Sequence, residues 1–183
     1  MIMDREQIQN WLDKYNKEED LNNVGIEKEL GRKFKLEQKL TKEDLKKVIE
    51  WKFQGRLKGR QIRTLNLIKD VLDSTIQEVT EDALKSDSEE LRLKLLMSFK
   101  GIKVALASVI LTFYDSEKYC VFDIHIYDEI FKTDSKTRPR DLFSNPKYYL
   151  EVLKRVRILS KKTGFKVRDI EKALFKKNFE DSN

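Results

Sequence analysis

The sequence predicts an all-α protein, because helix breakers are sparse and apolar residues recur at helical spacing between charged ones. Only Pro139, Pro146 and six glycines punctuate the 183 residues. Charged residues make up 38% of the chain, above the ~25% of an average domain. Exposed helix faces are therefore expected to carry dense Lys/Glu pairs. About ten helices with little or no sheet follow from this pattern.

The first helix is expected from about Asp4 to Tyr15 and a shorter one from Val24 to Gly31. Thr41 with Asp44 reads as a capping box opening a helix that carries Leu45, Val48, Ile49 and Trp51. Gly55 and Gly59 break it. Arg60 to Leu72 forms the next, with Ile62, Leu65, Ile68 and Val71 on its apolar side. Two short helices follow, Thr75–Lys85 and Ser88–Ser98, with Ser88 as N-cap. A turn at Gly101 leads into an apolar helix carrying Ile102, Leu106, Val109, Ile110 and Phe113. Residues 115–118 read as a loop, and Tyr119–Phe122 as strand or buried extended chain. A helix with Ile126, Ile130 and Phe131 follows Asp123. Pro146 sits in the first turn of a long helix to Lys162, which Gly164 ends. A last helix spans about Arg168 to Phe179.

This length suits one large or two small, intimately packed domains. One lobe is expected to combine residues 1–40 and 133–183. The other is expected to take residues 41–132, including the hairpin at about 88–114.

The formal net charge is +6, and its placement is more informative than its size. From Lys136 to Arg168 the basic residues Lys136, Arg138, Arg140, Lys147, Lys154, Arg155, Arg157, Lys161, Lys162, Lys166 and Arg168 face only Asp141 and Glu151. A second basic stretch holds Lys52, Arg56, Lys58, Arg60 and Arg63. Together they suggest a surface that faces a polyanion. The lone Cys120 excludes an internal disulfide, a thiolate zinc site and an iron–sulfur cluster. A reducing compartment is expected. No His/Cys/carboxylate set has zinc-ligand spacing, so no metal ligands are assigned. The charged N-terminus does not read as a signal peptide, and no apolar run is long enough to span a membrane.

The chemistry concentrates in Met97-Ser98-Phe99-Lys100-Gly101-Ile102-Lys103-Val104-Ala105-Leu106-Ala107-Ser108, followed by Val121-Phe122-Asp123-Ile124-His125-Ile126. A helix ends, a tight turn forms at Gly101, and a new helix begins. Unpaired amides at that new N-terminus, with the helix dipole, suit a phosphate. Lys100 and Lys103 add charge. Asp123 stands among apolar residues, where an acid needs a partner, a capping role or a chemical task.

Gly101–Ala107 and Phe122–Ile126 resemble the hairpin and Asp-x-His signature of the helix-hairpin-helix DNA glycosylases. Trp51-Lys52 and the segment from Arg168 to Phe175 resemble the flanking helices of a sparsely described branch of that superfamily. The resemblance is strong over about thirty residues of the family's roughly Leu-Pro-Gly-Val-Gly-x-Lys-x-Ala then Val-Asp-x-His pattern. Phe99 and Lys100 replace Leu-Pro, Lys103 replaces the second glycine, and Ala105 stands where strand-cleaving members carry lysine. The resemblance implies that Asp123 is the catalytic acid. It implies that Lys100, Gly101, Ile102 and His125 contact the DNA backbone. Lys52, Arg56 and Arg60 are candidates for a second strand contact. Lys103 is assigned to phosphate binding or, under a two-residue shift, to a lyase nucleophile. Trp51 and Tyr127 are candidates for stacking or wedging against a displaced base. Hairpin carbonyls are implied to hold a monovalent cation.

The expected function is excision of a damaged or mismatched base from double-stranded DNA, without strand cleavage because of Ala105. The alternative is a non-catalytic nucleic-acid-binding protein of the same shape. A monomer is expected, cytoplasmic and nucleoid-associated.

Overall fold

The computed structural model describes residues 3–54 and 57–182. Among them are ten α-helices and no strand: α1 (Arg5–Glu18), α2 (Leu21–Glu37), α3 (Lys42–Lys52), α4 (Lys58–Ile68), α5 (Asp73–Lys85), α6 (Glu89–Leu96), α7 (Val104–Tyr114), α8 (Ile124–Phe131), α9 (Pro146–Thr163) and α10 (Val167–Asp181).

Local chemistry explains most boundaries. Thr41 and Asp44 form a reciprocal capping box on α3, and the Ser88 hydroxyl caps α6. Asn145 caps α9 with Pro146 in its first turn, where no amide is needed. Gly164, at φ +78°, closes the helix in the left-handed conformation.

α7 is buried from residue 106 to residue 113, as befits a helix apolar on every side. α2 and α3 pack on it. α1 and α8 both pack on α10, and α5 packs on α6. This differs from the expected lobes at two helices. α2, placed with the termini, lies on α7, and α8, placed with the hairpin, lies chiefly on α10. α2 also runs past Gly31. A Cβ there would meet the Phe113 carbonyl oxygen at 2.9 Å. Gly31 is thus a close-crossing residue between α2 and α7, not a helix end.

The segment 119–122 is buried and lies outside any helix or sheet. Side chains satisfy two of its amides instead. The Val121 N–H donates to Glu171 on α10 at 3.2 Å. The Phe122 N–H donates to the Ser108 hydroxyl on α7 at 2.8 Å, and that hydroxyl donates onward to the Ala105 carbonyl at 2.8 Å. A buried amide without an acceptor is costly, so α7 and α10 together fix the chain that delivers Asp123.

Candidate functional site

A cleft of about 500 Å³ opens between α4, the Gly101 turn and the start of α8. Its walls include Lys52, Arg60, Arg63, Gly101, Lys103, Ala105 and Asp123. Residues far apart in sequence therefore meet here: the end of α3, one face of α4, the turn before α7 and the cap of α8.

The turn is built on Gly101, whose φ is +93°. The Ile102 N–H donates to the Phe99 carbonyl at 3.0 Å, closing it. A Cβ at Gly101 would meet Leu67 at 2.9 Å and Thr64 at 3.5 Å. Glycine here serves both the left-handed backbone and the seating of the turn on α4. Gly101→Ala is expected to cost about 1–3 kcal/mol, read as a lowered unfolding midpoint in denaturant. An unchanged midpoint would show that the turn is not held in this conformation.

The amides near the start of α7 are only partly used. The Val104 N–H donates to the Phe143 carbonyl at 3.1 Å, and the Leu106 N–H to the Lys103 carbonyl at 3.0 Å. Those of Gly101, Lys103 and Ala105 have no acceptor among the described residues, and all three residues line the cleft. Lys103 is the N-cap and makes no side-chain cap. Free amides, the positive end of a helix and an exposed lysine at one place have the chemistry that suits an anion.

Arg60, Arg63, Thr64 and Leu67 fall at helical i, i+3, i+4 and i+7 spacing, so one face of α4 forms the opposite wall. Among the described residues, no carboxylate ion-pairs with Lys58, Arg60, Arg63, Lys100 or Lys103. All five side chains are exposed, so this charge faces solvent. Sequence reasoning noted Arg63 in a basic stretch but gave it no role. The Arg60–Arg63–Leu67 spacing was the available signal.

Asp123 caps α8, its Oδ1 accepting from the His125 N–H at 3.2 Å. Its Oδ2 lies 3.2 Å from Lys52 Nζ, and that amine also donates to the Phe122 carbonyl at 3.4 Å. Burial pushes the Asp123 carboxyl up, but the Lys52 charge, the His125 amide and the Lys52 hydrogen bond outweigh it. The group is held below its ordinary value. Its side chain keeps 26% exposure against 12% for Lys52, so the ion pair does not close the acid off from the cleft. Because the folded-state value is depressed, the stability Asp123 contributes is present above the ordinary carboxylate range. It is lost as pH falls through the depressed value. Asp123→Asn should flatten that part of the acid stability curve, and an unaltered curve would show that Lys52 does not hold the charge.

Several expected contacts lie elsewhere. The Ile102 side chain is buried at 3% exposure and its N–H is used within the turn, so neither group faces the cleft. The His125 ring turns to α10: Nδ1 is 2.9 Å from Asn178 Oδ1, and the ring meets Phe175 and Phe179 edge-on. Helical spacing from the Asp123 cap sends that side chain away from the cleft. Trp51 packs on Phe113 at 5.0 Å and donates to the Asn23 carbonyl, and Tyr127 packs among Phe122, Phe131 and Tyr148. Tyr127 is buried in the core and Trp51 packs partly buried against it, and neither lines the cleft. Lys100 is exposed beside Gly101 but does not line the cleft. Arg56 lies outside the described residues.

The long basic run divides in two. Arg138 pairs with Asp128, Arg157 with Glu89, Lys166 with Glu117, and Arg168 with Glu27 and Glu171. Lys147, Lys154, Arg155, Lys161 and Lys162 stay exposed on α9. No group of three or more metal-ligating side chains gathers among the described residues. No helix among them is long and apolar enough to cross a membrane. Compared with known proteins, the chain matches no family model, no curated protein and no solved structure.

Proposed function

We propose that the cleft holds duplex DNA and excises a base from it, the reaction of a DNA N-glycosylase. The observation that carries this reading is the meeting of the Gly101 turn, the unpaired cations of α4 and the carboxylate of Asp123 in one opening.

The turn amides and Lys103 would hold one strand by phosphate, while Arg60 and Arg63 meet the backbone from the other wall. A cavity of about 500 Å³ lies within the range of small-ligand pockets and has room for a displaced base. Chemistry on a base requires taking it out of the stack. As the bond between base and sugar breaks, positive charge grows on the sugar. An ionised acid placed there stabilises that charge more in the transition state than in the ground state. The depressed value of Asp123 keeps it ionised for this role. The carbonyls of Lys100, Gly101 and Ile102 accept from no donor among the described residues. They are the oxygens that would hold a bridging monovalent cation.

The Lys52–Asp123 ion pair favours one second reading, a protein of the same shape that binds nucleic acid without cleaving it. There the acid would serve only to seat Lys52. A panel of duplexes carrying oxidised, deaminated, alkylated or mismatched bases separates the two. Release of a free base from any member supports excision. Tight binding to all, with release from none, favours the second reading.

Either form of DNA binding should weaken steeply with salt. If Arg60, Arg63, Lys100 and Lys103 each neutralise a phosphate, the slope of log K against log salt is about −3.6. Arg63→Ala should then flatten it by about 0.9. A slope near zero would remove nucleic acid as the partner.

A further inference from the structure

We propose that the exposed face of α9 around Ile158 is a docking site for an acidic segment of a partner protein, anchored by one large apolar side chain. This face is separate from the cleft. Phe143, just before α9, lines the cleft, whereas Ile158 stands twelve positions beyond Pro146, about 18 Å along the helix axis.

On a helix surface, the neighbours of a residue stand three and four positions away on either side. For Ile158 these are Lys154, Arg155, Lys161 and Lys162, so all four are cations. Each is exposed, and among the described residues none is ion-paired with a carboxylate. Glu151 is the one acid on the same face, and it forms no ion pair with Lys154 or Arg155. Ile158 is 54% exposed, an apolar residue at the centre of a basic patch. The end of α9 accounts for Lys161 and Lys162, because a helix dipole favours cations in its last turn. It does not account for Lys154 and Arg155, which lie more than two turns before Thr163. Four like charges around one point repel one another, and an anionic partner relieves that repulsion.

Beside Ile158 a pocket of about 210 Å³ opens between α8, α9 and α10. Met3, Ile130, Ile158, Leu159 and Leu174 give it an apolar lining, with Arg155 and Lys132 at its edge. Its volume lies below the ~300 Å³ at which small-ligand pockets begin, and it suits a single apolar side chain. The acid in its wall, Glu129, is already held by Lys132 at 2.6 Å and by Lys177 at 3.2 Å. Arg155 lies over the Phe131 ring at 5.0 Å. That contact orders a guanidinium whose planar fork matches a carboxylate with two parallel hydrogen bonds.

An apolar anchor seated in a pocket, with a charged rim around it, is the anatomy of a protein–protein contact. The rim here is basic, so the complementary segment carries Asp and Glu on both sides of its anchor. A nucleic-acid backbone would meet the cations but put nothing apolar into the pocket. A bilayer surface would need a wider apolar face than one isoleucine.

The test adds the full chain to a fluorescein-labelled synthetic peptide of aspartate and glutamate around one central leucine, and reads anisotropy. The leucine peptide should bind, more weakly as salt rises. The same peptide with serine in place of leucine should bind roughly 30-fold more weakly, the loss that marks an anchor residue. Ile158→Asp should weaken the leucine peptide by a similar factor, and Lys154→Glu with Arg155→Glu should abolish its binding. These side chains are exposed, so circular dichroism and the unfolding midpoint should not change. The comparison of the two peptides uses the unaltered protein and needs no variant. No binding of the leucine peptide, equal affinity for both peptides, or full affinity in Ile158→Asp overturns the proposal. Duplex DNA and phosphatidylglycerol vesicles are measured in parallel. A greater loss of affinity for either of them than for the peptide in Ile158→Asp would assign this face to that partner and overturn it too. Base release plays no part in the measurement. Failure of excision would leave the docking face standing, and failure here would leave the reading of the cleft standing.

Discussion

Asp123→Asn is expected to slow base release on the order of 100- to 1,000-fold, the usual cost of removing one preorganised electrostatic stabiliser, while duplex affinity stays nearly unchanged. The reasoning is geometric. Asparagine also caps helices well, so it can still accept from the His125 amide, and α8 keeps its start. In the proposed reading phosphate contacts fall to the turn, to Lys103 and to α4, not to this carboxylate. What the variant lacks is the negative charge opposite a cationic sugar, so the loss should appear in the rate of the chemical step under single-turnover conditions. The pH profile carries the same signature. Asp123 is held below its ordinary value, so it stays ionised as the pH falls through the usual carboxylate range. Any acid limb arising from its protonation must lie below about pH 4. Equal rates for the two proteins would remove Asp123 from the chemistry. A large loss of affinity in the variant would make it a binding residue instead.

Glu171→Ala should cost about 3–5 kcal/mol of stability, the cost of leaving a buried charge short of its partner, with the lower end expected because Glu27 still pairs with Arg168. Arg168 is 4% and Glu171 3% exposed. Arg168 forks onto Glu27 with two contacts of 3.1 Å, donates to Glu171, and lies over the Trp51 ring. Burial raises the Glu171 carboxyl above its ordinary value, although Arg168, the Val121 amide and Lys52 act against it. The consequence reaches the site. Without Glu171 the buried Val121 N–H loses its acceptor, and the segment that carries Asp123 loses its tie to α10, keeping the Phe122 contacts with Ser108 and Lys52. Glu171→Gln keeps an acceptor oxygen for that amide and should cost less. Denaturant titration checks the ranking. A Glu171→Ala midpoint equal to that of the unaltered protein would show that this cluster does not hold the fold.

What the sequence made legible follows the range of each interaction. Caps were readable, because Thr41 with Asp44, Ser88, Asp123, Pro146 and Gly164 act within a few residues of themselves. Gly31 was misread as a helix end because its reason, the Phe113 carbonyl on α7, lies 82 positions away in the chain. The same limit applies in the site. The Gly101 turn and Asp123 could be named from local pattern, and the cleft joins them. The position of Lys52 beside Asp123 could not be read, since it depends on how α3 packs against α7. Trp51, Tyr127 and His125 looked available for DNA only because sequence does not say which helix face is covered. α10 covers His125, and core aromatics enclose Tyr127. Arg168 and Arg157 looked like surface charge, yet acids distant in the chain claim both.

If the ionised acid faces a sugar delivered by the Gly101 turn and the α4 cations, affinity should differ between two duplexes, one bearing a cationic pyrrolidine in place of the sugar ring and the other a neutral tetrahydrofuran. A site complementary to the cationic transition state should prefer the pyrrolidine on the order of 100-fold, and Asp123→Asn should erase the preference. Equal affinity for the two duplexes, or a preference that survives in Asp123→Asn, would contradict that arrangement.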